Sequence, residues 1–201
     1  MRRRSLPLAA VFFCLLAGCS PRDFLTRRLA ADLIASSPAF KTAQQFSLNI
    51  GVVSNKDYLS PEYLVLQHAG WLTGTSVKCP PHLVPPPCWD VALSPIGVET
   101  FRDLIPSSDV GKPPFNIPTA RRDLVAITGI SKNGNLADVD FTWKWLPLNE
   151  VGDALYAGGV RYRCTVGFKH YDDGWRIIEA ASPARATQDL DNALKNSEPV
   201  Q

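Results

Sequence analysis

The chain of 201 residues has few of the side chains on which enzymes most often rely, with only three histidines and five cysteines. It lacks the Gly-x-Ser-x-Gly turn of hydrolases, the glycine-rich phosphate loop, the Gly-x-Gly-x-x-Gly fingerprint and the His-Glu-x-x-His zinc motif. The enzyme classes that these motifs define are therefore excluded. We expect no catalytic residues, no cofactor and no metal, and a non-enzymatic role is favoured over an enzymatic one.

Long apolar runs are also scarce. One apolar segment, from Leu6 to Leu16, follows the basic start Arg2-Arg3-Arg4. It is too short to cross a bilayer as a helix, but a basic start followed by a short apolar run is the pattern of a secretory signal. We interpret residues 1–18 as a signal peptide.

The apolar segment ends in Leu16-Ala17-Gly18-Cys19, which resembles the lipobox of bacterial lipoprotein precursors. The resemblance implies cleavage after Gly18, acylation of Cys19 with chains such as palmitate, and a folded body that is anchored to the cell envelope and faces the periplasm. Ser20, directly after the cysteine, resembles the pattern that directs lipoproteins to the outer membrane rather than the inner one.

Net charge argues against nucleic acid as a partner. Removal of residues 1–18 takes away three arginines, so the formal charge changes from +2 to −1. Nucleic-acid recognition normally requires a concentrated positive surface. The expected partners are instead the lipid bilayer, through acylated Cys19, and an envelope protein.

Two cysteines enclose a proline-rich stretch. Cys79 and Cys88 flank residues 80–87, where prolines remove amide donors and prevent strand pairing. We predict a disulfide across this loop, since an oxidising periplasm would preserve it. The alternative interpretation takes Cys79, His82 and Cys88 as metal ligands. Cys164 is expected to be a small buried apolar residue.

The first half of the mature chain predicts a small helical domain over residues 19–105. Helical spacing is found between Asp23 and Ser36 and again from Ser60 to Gly70, followed by a two-stranded ribbon and a helix that begins at Ser94. The part over 38–105 resembles the winged-helix fold of bacterial repressors. The tip of this wing lacks arginine and lysine, so we do not expect DNA binding.

The second half predicts a sheet. Residues 106–120 have the composition of a linker, and 182–201 are expected to form a polar helix or tail. Between them, residues 121–181 contain two hairpin signals, Asn133-Gly134 and 172–174, which favour a curved four-stranded antiparallel sheet. The expected fold class is α+β.

One face of this sheet is aromatic, with Trp143 and Trp145 alternating along one strand and Tyr162 on the next. The segment over 122–181 resembles cystatin-like and nuclear-transport-factor-like domains, but without their leading helix. The resemblance implies a ligand face at these three residues. Two functions are therefore weighed: a non-catalytic envelope lipoprotein that binds protein or has a structural role, and a small-molecule-binding or enzymatic cone-shaped domain.

Overall fold

The computed structural model describes residues 24–81, 86–105, 113–156, 159–178 and 189–200, within which the chain forms seven helices and nine strands. The helices are α1 Arg27–Ser36, α2 Pro38–Lys41, α3 Asn55–Tyr58, α4 Pro61–His68, α5 Pro95–Phe101, α6 Glu150–Leu155 and α7 Leu190–Lys195. The strands are β1 Gln44–Leu48, β2 Gly51–Ser54, β3 Leu72–Val77, β4 Cys88–Leu93, β5 Phe115–Asn133, β6 Leu136–Pro147, β7 Arg161–Tyr171, β8 Gly174–Ile177 and β9 Glu198–Val200. The fold is α+β, as predicted.

The large antiparallel sheet has six strands, which corrects the prediction of four. Its order is β1-β5-β6-β7-β8, and β9 pairs with β7 beside β8. The four predicted strands are β5 to β8. The two additional strands are short: β1 is largely exposed and polar at its start, and β9 has three residues. In β1 only Phe46 and Leu48 alternate with polar residues, which is too short a run to identify a strand, and β9 has no apolar alternation.

β5 spans 19 residues and is bent by two register shifts against β6, at Leu124/Ala126 and at Ile127/Gly129. Such bulges bend a strand and increase its twist. The turn into β6 differs by one residue from the expected one. Asn133 pairs with Leu136, so the loop residues are Gly134 and Asn135, and Gly134 has the positive φ of 61° that the turn requires.

A second sheet has the order β2-β4-β3, so the predicted two-stranded ribbon has a third strand. β2 begins at Gly51, which has a φ of 84°. With only four residues, the strand is too short to show a clear apolar pattern. Helices α3, α4 and α5 pack against this sheet through Tyr58, Leu66 and Phe101. We call residues 51–101 the small-sheet unit.

The described residues bury two apolar clusters, and β5 contributes to both. Its first residues, Phe115 and Ile117, lie in the cluster of the small-sheet unit, whereas Ile127 lies in the cluster of the large sheet. Residues 115–120, which were expected to lie in a linker, therefore belong to β5, and residues 115, 117, 119 and 120 are buried. Of the other predicted linker residues, 106–112 lie outside the described residues, as do 182–188 of the predicted tail.

Helices α1 and α2 belong to the large sheet rather than to the small-sheet unit. Ala30 and Ile34 of α1 and Phe40 of α2 are buried in the same cluster as Phe141 and Val166 of the sheet. The segment 122–181 has no long leading helix of its own, but α1, with ten residues, lies before the predicted domain boundary and covers the sheet. α7, near the C-terminal end of the sequence, is buried in the same cluster through Leu190, Ala193 and Leu194.

Candidate functional site

The aromatic residues predicted as a ligand face lie together at one end of the large sheet. Trp143 lies directly opposite Tyr162 across β6 and β7, and the two rings stack with their centroids 4.7 Å apart. Trp145 meets Trp143 edge-on at 5.1 Å, and Tyr156, at the end of α6, packs on Trp145 at 4.7 Å. The three residues of the predicted ligand face thus lie together in one cluster, and Tyr156 is a fourth member.

Arg122 of β5 packs against this aromatic cluster. It is paired in register with Trp145, and its guanidinium carbon lies 5.0 Å from the ring centre of Trp145 and 5.5 Å from that of Trp143. Its Nη1 donates a 2.9 Å hydrogen bond to the carbonyl oxygen of Ala39. A cation held over two indole rings is a stabilising arrangement, so the cluster already contains its own cation.

The charge on Arg122 is only weakly compensated. Burial lowers the pKa of Arg122, whereas the nearby Asp191 and, to a smaller extent, Tyr156 raise this pKa. Within the described ranges, no carboxylate forms an ion pair with this guanidinium, and its Nε has no hydrogen-bond partner. The outer edge of the cluster therefore combines partly exposed aromatic rings with a cation that retains donors for an anionic group.

The inner part of the aromatic face is packed core. Trp143 is only 3% exposed, and the face is continued by Phe141, Val139 and Phe168 beneath α1 and α2. Access is therefore limited to the rim, which is formed by Trp145, Tyr156, Tyr162 and Arg122.

Cys164 lies next to this cluster but does not supply a nucleophile. Burial raises the pKa of the Cys164 thiol from 9.0 to about 12, and this effect exceeds the smaller lowering by Trp143 and Arg122. The thiol is thus protonated at neutral pH, whereas a nucleophilic cysteine requires the thiolate. The expectation that Cys164 is buried is confirmed.

The titratable residues elsewhere do not converge. His170 packs against Trp175, and His68 is exposed at the end of α4. Glu150 and Asp153 lie at the exposed start of α6. In the part of the chain that the structure describes, no three histidine, cysteine or acidic side chains are grouped as they would be to hold a metal ion. His82 lies outside the described residues.

An open groove of about 900 Å³ lies between α1, α2, β8 and α7. Its charged lining residues are Arg176, Asp189 and Asp191, and its apolar lining includes Leu33 and Ile177. The lining contains no histidine and no cysteine, and the hydroxyl of Ser37 donates a 2.6 Å hydrogen bond to the carbonyl oxygen of Ile34.

Cys79 and Cys88 form the predicted disulfide. Their Cα atoms are 5.1 Å apart, and Cys88 pairs with Val77 across β3 and β4, so the bond closes the base of the proline-rich loop. Both sulfurs are used in this bond, which removes them as metal ligands.

The predicted lipidation site, Cys19, lies outside the described residues, and the sequence remains its only support. Among the described helices, none has the length and apolar character needed to pass through a bilayer. Comparisons with protein-family models, with curated proteins and with solved structures each give no match.

Proposed function

We propose that the chain is an envelope lipoprotein, acylated at Cys19, whose folded body is a non-catalytic protein-binding or structural module. The lipobox-like sequence Leu16-Ala17-Gly18-Cys19 carries this proposal. The Cys79–Cys88 disulfide supports it, because disulfides persist in oxidising compartments such as the periplasm. The protonated, buried Cys164 agrees with a module that performs no thiol chemistry.

Exposed apolar side chains support the protein-binding role. The structure describes eight large apolar residues as exposed, and five of them belong to the small-sheet unit. They are Val52, Leu59, Leu64, Ile96 and Val98. Single exposed apolar residues are common on protein surfaces, whereas a concentration of them marks an interaction site.

Lipidation is tested with a matched pair of cysteine variants in metabolic labelling with palmitate. Cys19→Ala is expected to lose the label and to accumulate as a precursor or a soluble form. Cys14→Ala, which changes a cysteine inside the signal segment, is expected to keep the label and the processed mass. Label retained on Cys19→Ala would refute the proposal.

Sorting to the outer membrane is proposed from Ser20. In a host that sorts by the residue after the lipidated cysteine, Ser20→Asp is expected to move the protein to the inner membrane in a density gradient. Ser36→Asp, the same substitution at an exposed position of α1, serves as the control and leaves the distribution unchanged. An unchanged distribution of Ser20→Asp would remove the support for outer-membrane sorting.

Protein binding is tested by site-specific photocrosslinking in intact cells. A crosslinker at Ile96, which is 63% exposed, is expected to give a discrete adduct that recurs between preparations. The control position is Thr128, exposed on β5 of the large sheet, and it gives no such adduct. Equal patterns at both positions would argue against the small-sheet unit as the binding surface.

A second candidate function is binding of a small anionic ligand at the aromatic rim. The observation that favours it is the partly buried Arg122, which lies beside Trp145 and retains unused donors. Titration with small carboxylates and phosphate should change the tryptophan fluorescence of the wild type but not of Arg122→Met. The exposed neighbour variant Arg121→Met should respond like the wild type, and a flat titration of all three proteins would eliminate this candidate.

A further inference from the structure

The described part of the chain begins very close to the lipidation site in sequence. Leu25 is 6% exposed and is packed into the core of the large sheet. Leu25 is six positions after Cys19 in the chain, and an extended chain covers at most about 3.5 Å per residue. If Cys19 is acylated, Leu25 therefore lies within about 21 Å of the lipid.

The contacts between Phe24 and Lys132 identify the part of the fold that lies close to the lipid-bearing end of the chain. The Lys132 ammonium lies 5.4 Å from the ring centre of Phe24 and 5.0 Å from that of Trp175. Lys132 precedes the β5–β6 turn, and Trp175 follows the β7–β8 turn. We call this end of the sheet, with Phe24 and residues 132–136 and 169–176, the hairpin end.

The hairpin end has the side chains that suit a membrane surface. Phe24 is 53% exposed and Tyr171 is 44% exposed. The Lys169 ammonium lies 5.0 Å from the ring centre of Tyr171, and the guanidinium of Arg176 lies 5.4 Å from it on the adjacent strand. Aromatic rings beside basic side chains are typical of the interface between water and lipid.

Within the hairpin end itself, three basic side chains face two acidic ones. Its own cations are Lys132, Lys169 and Arg176, and α1 adds Arg27 and Arg28, both exposed. The acidic groups nearby are Asp172 and Asp173 in the β7–β8 turn, Asp138 on β6 and Asp32 on α1, and Asp189 and Asp191 line the groove that Tyr171 and Arg176 also line. Asp173 forms an ion pair with Arg176, whereas the two lysines contact aromatic rings and can meet anionic headgroups.

We propose that the hairpin end is a docking surface for an anionic lipid membrane. It orients the body so that the small-sheet unit extends away from the bilayer. This inference rests on the proposed lipidation of Cys19, and it adds a contact between the folded body and lipid headgroups. In this orientation the exposed apolar residues of the small-sheet unit are available to a protein partner.

The test uses the lipidated full chain in vesicles that contain about a quarter phosphatidylglycerol in phosphatidylcholine. A thiol-reactive fluorophore is placed at Tyr171→Cys in one protein and at Leu148→Cys in another. Leu148 follows the far end of β6, roughly 35 Å along the strand from the β5–β6 turn. The buried thiol of Cys164 resists labelling, which the protein without an added cysteine verifies.

Quenching by a nitroxide on the lipid headgroups then reports orientation. We expect at least threefold stronger quenching at position 171 than at position 148. The double variant Lys132→Glu/Lys169→Glu should remove most of this difference in quenching. The control double variant Lys41→Glu/Lys56→Glu makes the same charge change at exposed positions on α2 and α3, and it should keep the difference in quenching.

Two failures are distinguishable. If palmitate labelling of Cys19 is absent in cells, the proposed lipidation is refuted and the orientation falls with it. If Cys19 is labelled but positions 171 and 148 are quenched equally, only the docking surface is overturned. Equal effects of the two lysine pairs would also overturn it, because the contact would then depend on total charge rather than on the hairpin end.

Discussion

Gly152 of α6 lies against the backbone of Thr119 in β5, so closely that a methyl group on Gly152 would overlap with the carbonyl of Thr119. The same carbonyl accepts a 2.9 Å hydrogen bond from the amide of Leu148. Asn149 caps α6 by accepting from the Gly152 amide at 3.0 Å, and its side chain donates to the carbonyl of Pro118 at 2.6 Å. α6 is thus fixed to the part of β5 that lies between the two apolar clusters.

We predict that Gly152→Ala destabilises the protein because the added methyl group pushes α6 away from β5. Displacement of α6 would also disturb Val151, which is fully buried in the cluster of the small-sheet unit. Overpacking of this kind costs about 1–3 kcal/mol of unfolding free energy. Urea unfolding measures the change.

The control for this prediction is Asp153→Ala, which changes an exposed residue of the same helix. It should change the unfolding free energy by no more than about 0.5 kcal/mol. If Gly152→Ala unfolds at the same urea concentration as Asp153→Ala, the close contact between α6 and β5 is wrong.

The disulfide gives a second prediction. Closing the ten-residue loop from Cys79 to Cys88 should contribute about 2.5–3 kcal/mol, because it restricts the unfolded chain. Reductant should therefore lower the urea midpoint of the wild type. The double variant Cys79→Ala/Cys88→Ala should begin at the lower midpoint and should not respond to reductant.

A thiol count supplies an independent check on this bond. The denatured, unreduced, acylated protein should show one free thiol, that of Cys164, and three after reduction. Three free thiols before reduction would mean that the bond between Cys79 and Cys88 does not form in the cell.

Arg122 gives a third prediction. Arg122→Met keeps much of the apolar length of the side chain but loses the cation over Trp143 and Trp145 and the hydrogen bond to Ala39. The expected loss is about 1–2 kcal/mol of unfolding free energy. Arg122→Lys should recover only part of it, because an ammonium cannot stack on the indole rings as a guanidinium does.

The neighbouring Arg121 provides the matched control for Arg122. It is exposed on the same strand, so Arg121→Met should change stability by less than about 0.5 kcal/mol. Equal losses in the two variants would show that the stability depends on total charge rather than on the contact between Arg122 and the tryptophans.

The sequence predicted the elements whose local pattern is strong. Strands β5 to β8 alternate or carry turn residues, and the hairpin at 133–134 was placed to within one residue. β1 and β2 were missed because they are short and their partners, β5 and β4, lie far away in the chain. Their pairing is decided by tertiary contacts, which local propensity does not contain.

The placement of α1 shows the same limitation. Its apolar spacing predicted a helix, but amphipathicity does not identify the partner. In the structure α1 packs on the large sheet, and Arg27 donates to the carbonyl of Thr128, which is 101 residues away.

The site was only partly predictable. Trp143, Trp145 and Tyr162 were found because alternation places them on one face of the sheet. Arg122 was missed because Arg121-Arg122-Asp123 has the pattern of a solvated segment, and only the register against β6 places Arg122 opposite Trp145. Tyr156 was missed because it follows the short helix α6 in a region without periodicity.

Cys164 gives the last prediction, which concerns alkaline pH. Burial raises the pKa of this thiol to about 12 in the folded protein, whereas the unfolded chain should titrate near 9.0. Below pH 9 both states bind the proton, so this residue adds no pH dependence. Between pH 9 and 12 the unfolded state loses the proton while the folded state keeps it, so stability should fall as the pH rises.

Urea unfolding at a neutral and an alkaline pH should reveal this effect as a difference between the parent protein and Cys164→Ala. Both proteins should carry Cys79→Ala and Cys88→Ala, so that the free thiol cannot attack the disulfide when unfolded. All other side chains are the same in the two proteins, so their contribution cancels. The parent should lose more stability on alkalinisation than Cys164→Ala, and an equal loss would show that the thiol is accessible to solvent in the folded state.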